Sequence, residues 1–487
     1  MRRIYTAWID DVTRSLRGGI MGTVRLFNHP IKMVYLVLLI AEGGLLAAAS
    51  FLGVYLRYIA DQETLLTTVG PVAPKAFVFA TVMLLGLIAV GLYNRRSRDG
   101  FRDVLLRLSL GFAFGSIVLA ALYYMFPEVL LGRGAFGLAL LSAFLLIALS
   151  RLVFLHLLGQ QNIRRRVLVL GAGKRAMPLT MLRRKSDLIG FRVMGYVAAP
   201  GDEVCVPEQY LVRLTKPLSE LIKEERIDQL VVAVDDRRQG LSMDELLRCR
   251  TQGVEVDDIV SFLEQETGQI KLDLMYPSWL TFSRGFRRGL MRSVAKRVFD
   301  LVVSLSMLLV TLPIMLITVV AILIEDGFKS PVLYRQRRVG EGGLEFDVYK
   351  FRSMRTDAEQ DGKARWAQAN DPRITRVGAF IRKYRIDELP QILNVLQGQM
   401  SFVGPRPERP EFVQGLQQSL PYYLERHQVK PGLTGWAQIC YPYGASDTDA
   451  YEKLQYDLYY VKNHSLFLDL AILLQTAEVV LWGKGAR

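Results

Sequence analysis

The stretch VFDLVVSLSMLLVTLPIMLITVVAILI, residues 298–324, is almost entirely apolar and carries one proline, Pro313, near its middle. It is longer than the roughly 20 residues that cross a bilayer as a helix. The proline has no N–H, and its ring clashes with the preceding turn, so a helix should kink there. The sequence therefore predicts a long apolar helix that is bent at Pro313.

Basic residues flank this block on both sides. They are Arg284, Arg287, Arg288, Arg292, Lys296 and Arg297 before it, and Lys329, Arg335, Arg337 and Arg338 after it. A straight crossing would carry one cluster to the outside, although basic flanks prefer the cytoplasmic side. We therefore predict a re-entrant helix over about 298–324, with Pro313 as its structural residue. The alternative is an ordinary spanning helix that tolerates its proline.

Four further apolar segments precede this block. They are Val34–Tyr58, Phe77–Tyr93, Val104–Phe126 and Ala135–Leu158. Their lengths predict a bundle of four transmembrane helices, and the first is too long and begins too late to be a cleaved signal peptide. Arginines and lysines are concentrated before the first segment, in the second loop and after the fourth segment, so both ends of the bundle should face the cytoplasm. For Arg107 and Arg151, which lie in these segments with Glu42, we expect snorkelling to the interface rather than a transport role.

A small α/β domain follows the bundle. Val167–Leu170 reads as a strand entering the turn Gly171-Ala-Gly173, and this is the entry of a Rossmann unit. Further strands are predicted at Phe191–Val197, Gln229–Val234 and Val254–Val256, with a helix at about Met243–Arg250. The alternation predicts a small parallel sheet.

The cofactor signal in this domain is incomplete. A dinucleotide site expects an acidic residue at the end of the second strand, but the chain continues there as Ala198-Ala199-Pro200, and Asp202 comes late. The chain also has no Tyr-x-x-x-Lys pair. We therefore predict a structural or regulatory use rather than redox chemistry. A membrane-tethered, NAD-dependent sugar oxidoreductase is the alternative.

Composition narrows the function. The 487 residues carry a net charge of +14 and are 51% hydrophobic, which excludes a disordered chain. Three cysteines and four histidines, all dispersed, argue against a disulfide scaffold and a histidine-based zinc site. The basic excess implies an anionic partner: nucleic acid, lipid headgroups or a phosphorylated substrate. The apolar segments and the lack of a nucleic-acid motif argue against nucleic acid.

The candidate chemistry lies in the last third of the chain. Residues 328–430 hold 18 Lys and Arg against 12 Asp and Glu. The run Arg385-Ile-Asp387-Glu388-Leu-Pro-Gln391 sets adjacent carboxylates in this basic setting. Separate short runs carry Arg338, Lys350 with Arg352, and Arg406. Taken singly, each run is typical of a solvated surface, but together they offer an attacking carboxylate, a carboxylate for a divalent metal and fixed cations. Phosphoryl transfer requires these parts.

From Lys296-Arg-Val-Phe-Asp300 onward, the chain resembles the bacterial monotopic polyprenyl-phosphate sugar-1-phosphate transferases. The resemblance rests on the proline-bearing helix and on five further motifs. These motifs are Asp387-Glu388-Leu, Asn394-Val-Leu, Met400-Ser-Phe-Val-Gly-Pro-Arg-Pro407, Pro431-Gly-Leu-Thr-Gly-Trp-Ala-Gln438 and Tyr459-Tyr-Val-Lys462. The whole chain is similar to the long-form members that start exopolysaccharide or O-antigen synthesis. Two departures are Leu312, where some relatives have serine, and Cys440-Tyr-Pro-Tyr-Gly444, where many have Asn-Gly-Arg.

The resemblance implies a nucleotide-sugar donor, usually UDP-linked, undecaprenyl phosphate as acceptor, and release of UMP. It implies Asp387 as the nucleophile, Glu388 as a Mg²⁺ ligand and Arg406 as a phosphate contact. Charge alone adds Arg338, Lys350 and Arg352 as substrate-binding candidates. A non-catalytic scaffold that recruits polysaccharide enzymes is a further alternative, which the intact carboxylate pair disfavours.

The predicted architecture is thus a membrane protein of mixed class. A cytoplasmic leader (1–31) precedes four transmembrane helices (32–160), a Rossmann-like domain (161–285) and an α-rich catalytic domain (286–487) with the re-entrant helix. Leu466–Trp482 should be an interfacial helix. We expect the bacterial inner membrane, with the catalytic domain on its cytoplasmic face in contact with lipids. From the resemblance alone we also expect a homodimer and contacts with other polysaccharide-assembly proteins.

Overall fold

The computed structural model describes residues 23–26, 29–59, 70–90, 92–93, 101–159, 164–182, 191–236, 242–276, 279, 286, 289–327, 330–355, 373–441 and 446–481. Most of the predicted leader and several of the flanking arginines, including Arg284, Arg287 and Arg288, lie outside these residues, as does Lys329. The described chain divides between Thr267 and Gly268 into two compact units. Each unit is described by itself.

Four long apolar helices occupy the four predicted segments of the first unit. After two short strands, β1 (Thr23–Leu26) and β2 (His29–Lys32), come α1 (Met33–Tyr58), α2 (Val72–Ala89), α3 (Phe101–Met125) and α4 (Arg133–Gly159). Each has a stretch long and apolar enough to cross a membrane. Their shared core contains fully buried side chains such as Leu46, Phe79 and Leu108. Outward-facing apolar side chains such as Ile40 and Ile117 stay exposed, as expected for helices in contact with lipid.

The bundle buries a pair of opposite charges. Arg151 Nε lies 2.7 Å from Glu42 Oε1, and its Nη2 donates to Oε2 at 2.8 Å. Tyr93 also donates to Glu42, and the Arg151 guanidinium lies 4.4 Å from the centre of the Tyr93 ring. Arg107 is buried as well and donates to the Val90 carbonyl. The prediction that Arg107 and Arg151 snorkel is therefore wrong. For Arg151, the carboxylate on α1 offsets the cost of burying its charge.

The Rossmann-like part is a four-stranded parallel sheet, which confirms the prediction. Its strands are β3 (Arg165–Leu170), β4 (Phe191–Val197), β5 (Gln229–Val232) and β6 (Glu255–Asp258), in the order β4-β3-β5-β6. The helices are α5 (Met177–Thr180), α6 (Leu218–Glu224), α7 (Met243–Thr251) and α8 (Ile259–Thr267). The central strands read as continuous apolar runs because both of their faces are covered. Val167, Val169, Leu230 and Val231 are accordingly fully buried.

The first long helix of the second unit is the proline-bearing α9 (Leu290–Asp326), which continues through Pro313 and is capped by Gly327. Two antiparallel strands follow, β7 (Leu333–Val339) and β8 (Glu345–Phe351), and later two parallel ones, β9 (Ser401–Val403) and β10 (Gly432–Thr434). The remaining helices are α10 (Arg376–Lys383), α11 (Gln391–Gln397), α12 (Pro410–Ser419), α13 (Trp436–Cys440), α14 (Asp447–Asn463) and α15 (Leu466–Leu481).

The second unit starts earlier than the predicted catalytic domain. Ile270 N donates to the Gln455 carbonyl, and Trp436 Nε1 donates to the Gly268 carbonyl. Ile270 joins a core built largely on α14, with Leu458 and Tyr459 fully buried. Residues 268–276 thus pack with the segment that was predicted to be catalytic, whereas the predicted boundary lies at 285.

Helix α15 occupies the segment predicted as interfacial. Asp469, one of its polar interruptions, is fully buried rather than facing outward. Its Oδ2 lies 2.7 Å from Lys296 Nζ on α9, and Tyr460 donates to Oδ1 at 2.7 Å. These charge-assisted contacts fix α15 against the first turns of α9 and the end of α14.

Candidate active site

Asp387 and Glu388 lie in one short 3₁₀ turn, Ile386–Glu388, between α10 and α11. The residue before it, Arg385, has φ 60° in the left-handed region, which residues other than glycine rarely adopt. Such a conformation costs about 1–3 kcal/mol and is found disproportionately at functional sites. Here it stands immediately before the turn that carries both carboxylates.

Three cations from different segments surround Glu388. Arg406 Nη2 donates to Glu388 Oε1 at 3.0 Å, and Lys350 Nζ and Arg385 Nη1 lie 3.6 Å and 3.5 Å from the same oxygen. Burial by itself would raise the pKa of this carboxyl. The charges of Arg406, Lys350 and Arg385 outweigh burial and hold the pKa of Glu388 well below its usual range. Glu388 is therefore ionised at any physiological pH.

Asp387 has the opposite environment. Among the described residues, its Oδ1 is buried and has no hydrogen-bond partner. Burial, and then the negative charge of Glu388, raise the pKa of Asp387, while Lys350, Arg382 and Arg385 partly offset that rise. One oxygen of Asp387 thus keeps its lone pairs available, which a nucleophilic carboxylate requires.

The structure separates the predicted substrate-binding cations into three positions. Lys350 and Arg406 contact Glu388 directly, and burial lowers the pKa of Lys350. Arg338 donates to the Pro407 carbonyl at 3.0 Å and lies 3.6 Å from Glu408, and burial lowers its pKa to about 10. Arg352 instead donates to Asp326 at 2.6 Å, at the end of α9. Sequence reasoning did not assign Arg385 to the site, although it lies only two residues before Asp387.

A buried network holds the Arg406 loop. Arg426 Nη2 donates to the Arg406 carbonyl at 2.9 Å, and Nε and Nη2 both donate to Asp457 Oδ2 at 3.0 and 2.8 Å. Arg426 also donates to the Tyr423 hydroxyl at 3.2 Å. A side chain at Gly404 would lie 2.3 Å from the Lys430 carbonyl, so the loop needs glycine there. Sequence reasoning missed Arg426 and Asp457, because the contact joins residues 31 positions apart with no shared motif.

The carboxylate pair fits the implied Mg²⁺. Magnesium in phosphate chemistry is held by one or two carboxylates together with phosphate oxygens, rather than by a cage of protein ligands. The described residues contain no cluster of three or more His, Cys, Asp or Glu side chains that could form such a cage. Glu388, which is ionised, supplies a carboxylate oxygen of the required kind.

The glycine turn of the Rossmann-like part does not fit a dinucleotide. Asp235 accepts from the backbone N–H groups of Lys174 and Arg175 at 3.0 and 2.9 Å, and Asp202 accepts from that of Ala172 at 3.0 Å. In a nucleotide-binding version, N–H groups of this turn would bind the pyrophosphate. In this structure those N–H groups donate instead to the carboxylates of Asp235 and Asp202. The following helix, α5, has only four residues.

Two families match the chain. Residues 291–483 match the family described as bacterial sugar transferase, and residues 88–247 match the one described as CoA-binding domain. The first match covers the carboxylate pair and all of its cations. The second covers the glycine turn, whose N–H groups are occupied as described above.

Several curated proteins are similar to the chain. The UDP-glucose:undecaprenyl-phosphate glucose-1-phosphate transferase of Xanthomonas campestris pv. campestris is 32% identical over 434 residues, 85% of this chain and 89% of that protein. The undecaprenyl-phosphate galactose phosphotransferase of Salmonella typhimurium is 30% identical, over 71% of this chain and 74% of that protein. An N-acetylgalactosaminephosphotransferase of Aeromonas hydrophila, named as acting on UDP-N-acetylgalactosamine and undecaprenyl phosphate, is 42% identical. That match covers half of this chain and 56% of the relative.

Proposed function

This chain belongs to the bacterial sugar transferase family, and on that premise we propose that it transfers a sugar 1-phosphate from a UDP-sugar to undecaprenyl phosphate. The transfer would initiate repeat-unit assembly for an exopolysaccharide or O-antigen. One observation carries the proposal. Two neighbouring carboxylates lie in opposite environments: Asp387 has a free oxygen, while three cations surround Glu388.

The proposed reaction has two displacements at one phosphorus. An oxygen of Asp387 attacks the β-phosphorus of the donor, a P–O bond forms, and the bond to the bridging oxygen breaks, so that UMP leaves. An oxygen of undecaprenyl phosphate then attacks the aspartyl-phosphosugar. The second displacement returns Asp387 as a carboxylate and leaves the sugar on the lipid through a diphosphate. Dividing the transfer in this way lets one site serve both substrates in turn.

The surrounding charges address the main obstacle, which is repulsion between an anionic nucleophile and an anionic phosphate. Arg406 and Lys350 lie within 3.0 and 3.6 Å of Glu388, beside the nucleophile, and would neutralise charge that builds up on the phosphates. Mg²⁺, held by Glu388 and the donor diphosphate, would supply Lewis-acid stabilisation of the same charge. Arg338 would keep the Arg406 loop in place through the Pro407 carbonyl.

Contacts at both ends of α9 support the re-entrant topology. Near the start, Arg297 donates to the Val395 and Leu396 carbonyls, both in α11. Near the end, Glu325 accepts from the backbone N–H groups of Arg376 and Val377 in α10. If it were straight, the part of α9 between these contacts would be about 42 Å long. That length exceeds the roughly 30 Å thickness of the hydrocarbon core of a bilayer. Because α10 and α11 belong to one compact unit, a bent helix on the cytoplasmic face of the inner membrane suits the contacts better than a crossing. Helices α1–α4 would span that membrane.

A labelling experiment tests the covalent step. The purified chain is incubated with Mg²⁺ and a UDP-sugar labelled in the β-phosphate, without acceptor, and the protein-bound label is counted. Wild type should retain acid-sensitive label, and Asp387→Asn should retain none and turn over no donor. Asp244→Asn, an exposed aspartate in the other unit, is the matched control and should label normally. Release of UMP by Asp387→Asn at a near wild-type rate would contradict the assignment of the nucleophile.

A further inference from the structure

A cavity of about 360 Å³ lies beside Arg406 in the second unit. Its walls come from α12, α13 and α14, and Arg426 and Asp457 contribute to its lining. Small-molecule sites typically begin at about 300 Å³. Arg406 both lines this cavity and donates to Glu388, so the cavity adjoins the carboxylate pair through a single side chain.

The lining suits a flat, partly apolar group attached to a phosphate. Phe412, Tyr423 and Tyr441 supply aromatic surface, and aromatic side chains commonly stack on nucleobases. Arg406 and Lys453 supply positive charge, whereas Arg426 is paired with Asp457, and the carboxylates of Glu408, Glu411 and Asp447 also line the cavity. The aromatic surface and the position of Arg406 suit a nucleoside 5′-phosphate.

A carboxamide completes the lining. Gln438 borders the cavity. A carboxamide offers one acceptor oxygen and two N–H donors. The imide edge of uracil offers an N–H donor beside carbonyl acceptors, so the two groups are complementary.

We propose that this cavity binds the nucleoside end of the donor, with Gln438 facing the uracil edge. The inference rests on the proposed function, because it takes the donor to be a UDP-sugar. It places the α-phosphate near Arg406 and leaves the sugar outside the cavity. The competing assignment, in which the cavity holds the sugar, is one outcome of the test below.

Two substitutions test the cavity. Gly415 lines it on α12, and a Cβ there meets no other atom within 4 Å, so Gly415→Leu fills the space without a backbone clash. Gln438→Leu removes the carboxamide while keeping a similar size. Gln418→Leu is the matched control, because Gln418 lies on α12 with Gly415, is exposed and does not line the cavity.

Binding of 5′-UMP to the full-length protein in detergent is measured by calorimetry, and the KM for the UDP-sugar that supports transfer is measured beside it. Both test variants should weaken UMP binding by about tenfold or more and raise the donor KM comparably, because each loses stacking space or hydrogen bonds. The control should change neither value. Circular dichroism and thermal unfolding verify that each variant is folded.

Three results would overturn the inference. The first is an unchanged Kd for UMP in both folded test variants. The second is a raised donor KM with an unchanged Kd for UMP in Gly415→Leu, which would assign the cavity to the sugar. The third is the absence of UMP binding to wild type. The proposed function is judged separately, by whether wild type transfers sugar phosphate at all, so its failure is distinguishable from failure of the cavity assignment.

Discussion

Arg426 offers a sharp test of how the site is held. Its side chain is 5% exposed, and it bridges the Asp457 carboxylate, the Tyr423 hydroxyl and the Arg406 carbonyl. Arg426→Met leaves Asp457 buried without its ion-pair partner, and breaking such a pair typically costs about 3–5 kcal/mol. For a unit of about 200 residues, that loss corresponds to a fall in Tm of roughly 6–20 °C.

Loss of stability alone would not show that Arg426 positions Arg406. The double variant Arg426→Met/Asp457→Leu removes both buried charges, and apolar replacement of a buried pair is often neutral or stabilising. We expect the double variant to regain most of the lost Tm. The Arg406 carbonyl still lacks its donor, and a displacement of about 1 Å in a catalytic group can cost on the order of 100-fold. The kcat should therefore stay 10- to 100-fold below wild type.

The assay pairs thermal unfolding in detergent with release of UMP under saturating donor. Lys216→Met is the control, because Lys216 forms an exposed ion pair with Glu224, and exposed pairs contribute about 0–1 kcal/mol. Arg426→Lys should recover part of kcat if the loop needs a donor at this position. A double variant with both Tm and kcat at wild-type values would refute the positioning role.

Three further predictions concern other parts of the chain. Because the proposed mechanism requires an ionised Asp387 and burial raises its pKa, kcat should fall toward acid pH at a higher pH than an ordinary aspartate implies. Glu388→Gln removes a negative charge that helps to raise the pKa of Asp387. In this variant the fall in kcat on the acid side should therefore occur at lower pH. The purified chain should bind neither NAD nor CoA by calorimetry, because Asp235 occupies the N–H groups of the turn; micromolar binding would contradict this. Cysteines at Ser293 and Ser330, in a chain without its three native cysteines, should react with impermeant reagents only from the cytoplasm, and labelling of Ser330→Cys from outside would exclude a re-entrant α9.

Local pattern predicted much of the fold. The four apolar segments and the alternating strands follow from hydrophobic length and periodicity, which depend on neighbours in the chain. The sequence pattern did not predict which groups pair with the buried charges. Arg151 reads as a snorkelling residue until Glu42, more than a hundred residues away, is brought against it. Nothing in the apolar pattern around Asp469 indicates its ion pair with Lys296, in which the charged atoms lie 2.7 Å apart.

The site shows the same division. Asp387, Glu388, Lys350 and Arg406 could be proposed from residue types in a basic segment, and the structure brings all four together. Arg352 has the same charge and lies two residues from Lys350, yet it pairs with Asp326. Sequence gives the charge of a side chain, but the tertiary structure decides which anion it meets.

The carboxylate pair also explains how two adjacent acidic residues can have different roles. When environments push the pKa values of neighbouring groups apart, their chemical roles separate as well. Three cations hold Glu388 in its ionised form, which its proposed role as a Mg²⁺ ligand requires. Asp387 has a raised pKa and an unpartnered oxygen, so its negative charge is poorly stabilised until it forms a bond. A carboxylate in that state gains more by attacking phosphorus than one that is already surrounded by arginines. Exchanging the two residues, Asp387→Glu with Glu388→Asp, would keep both charges but alter their reach, and the proposed mechanism requires that exchange to lower kcat.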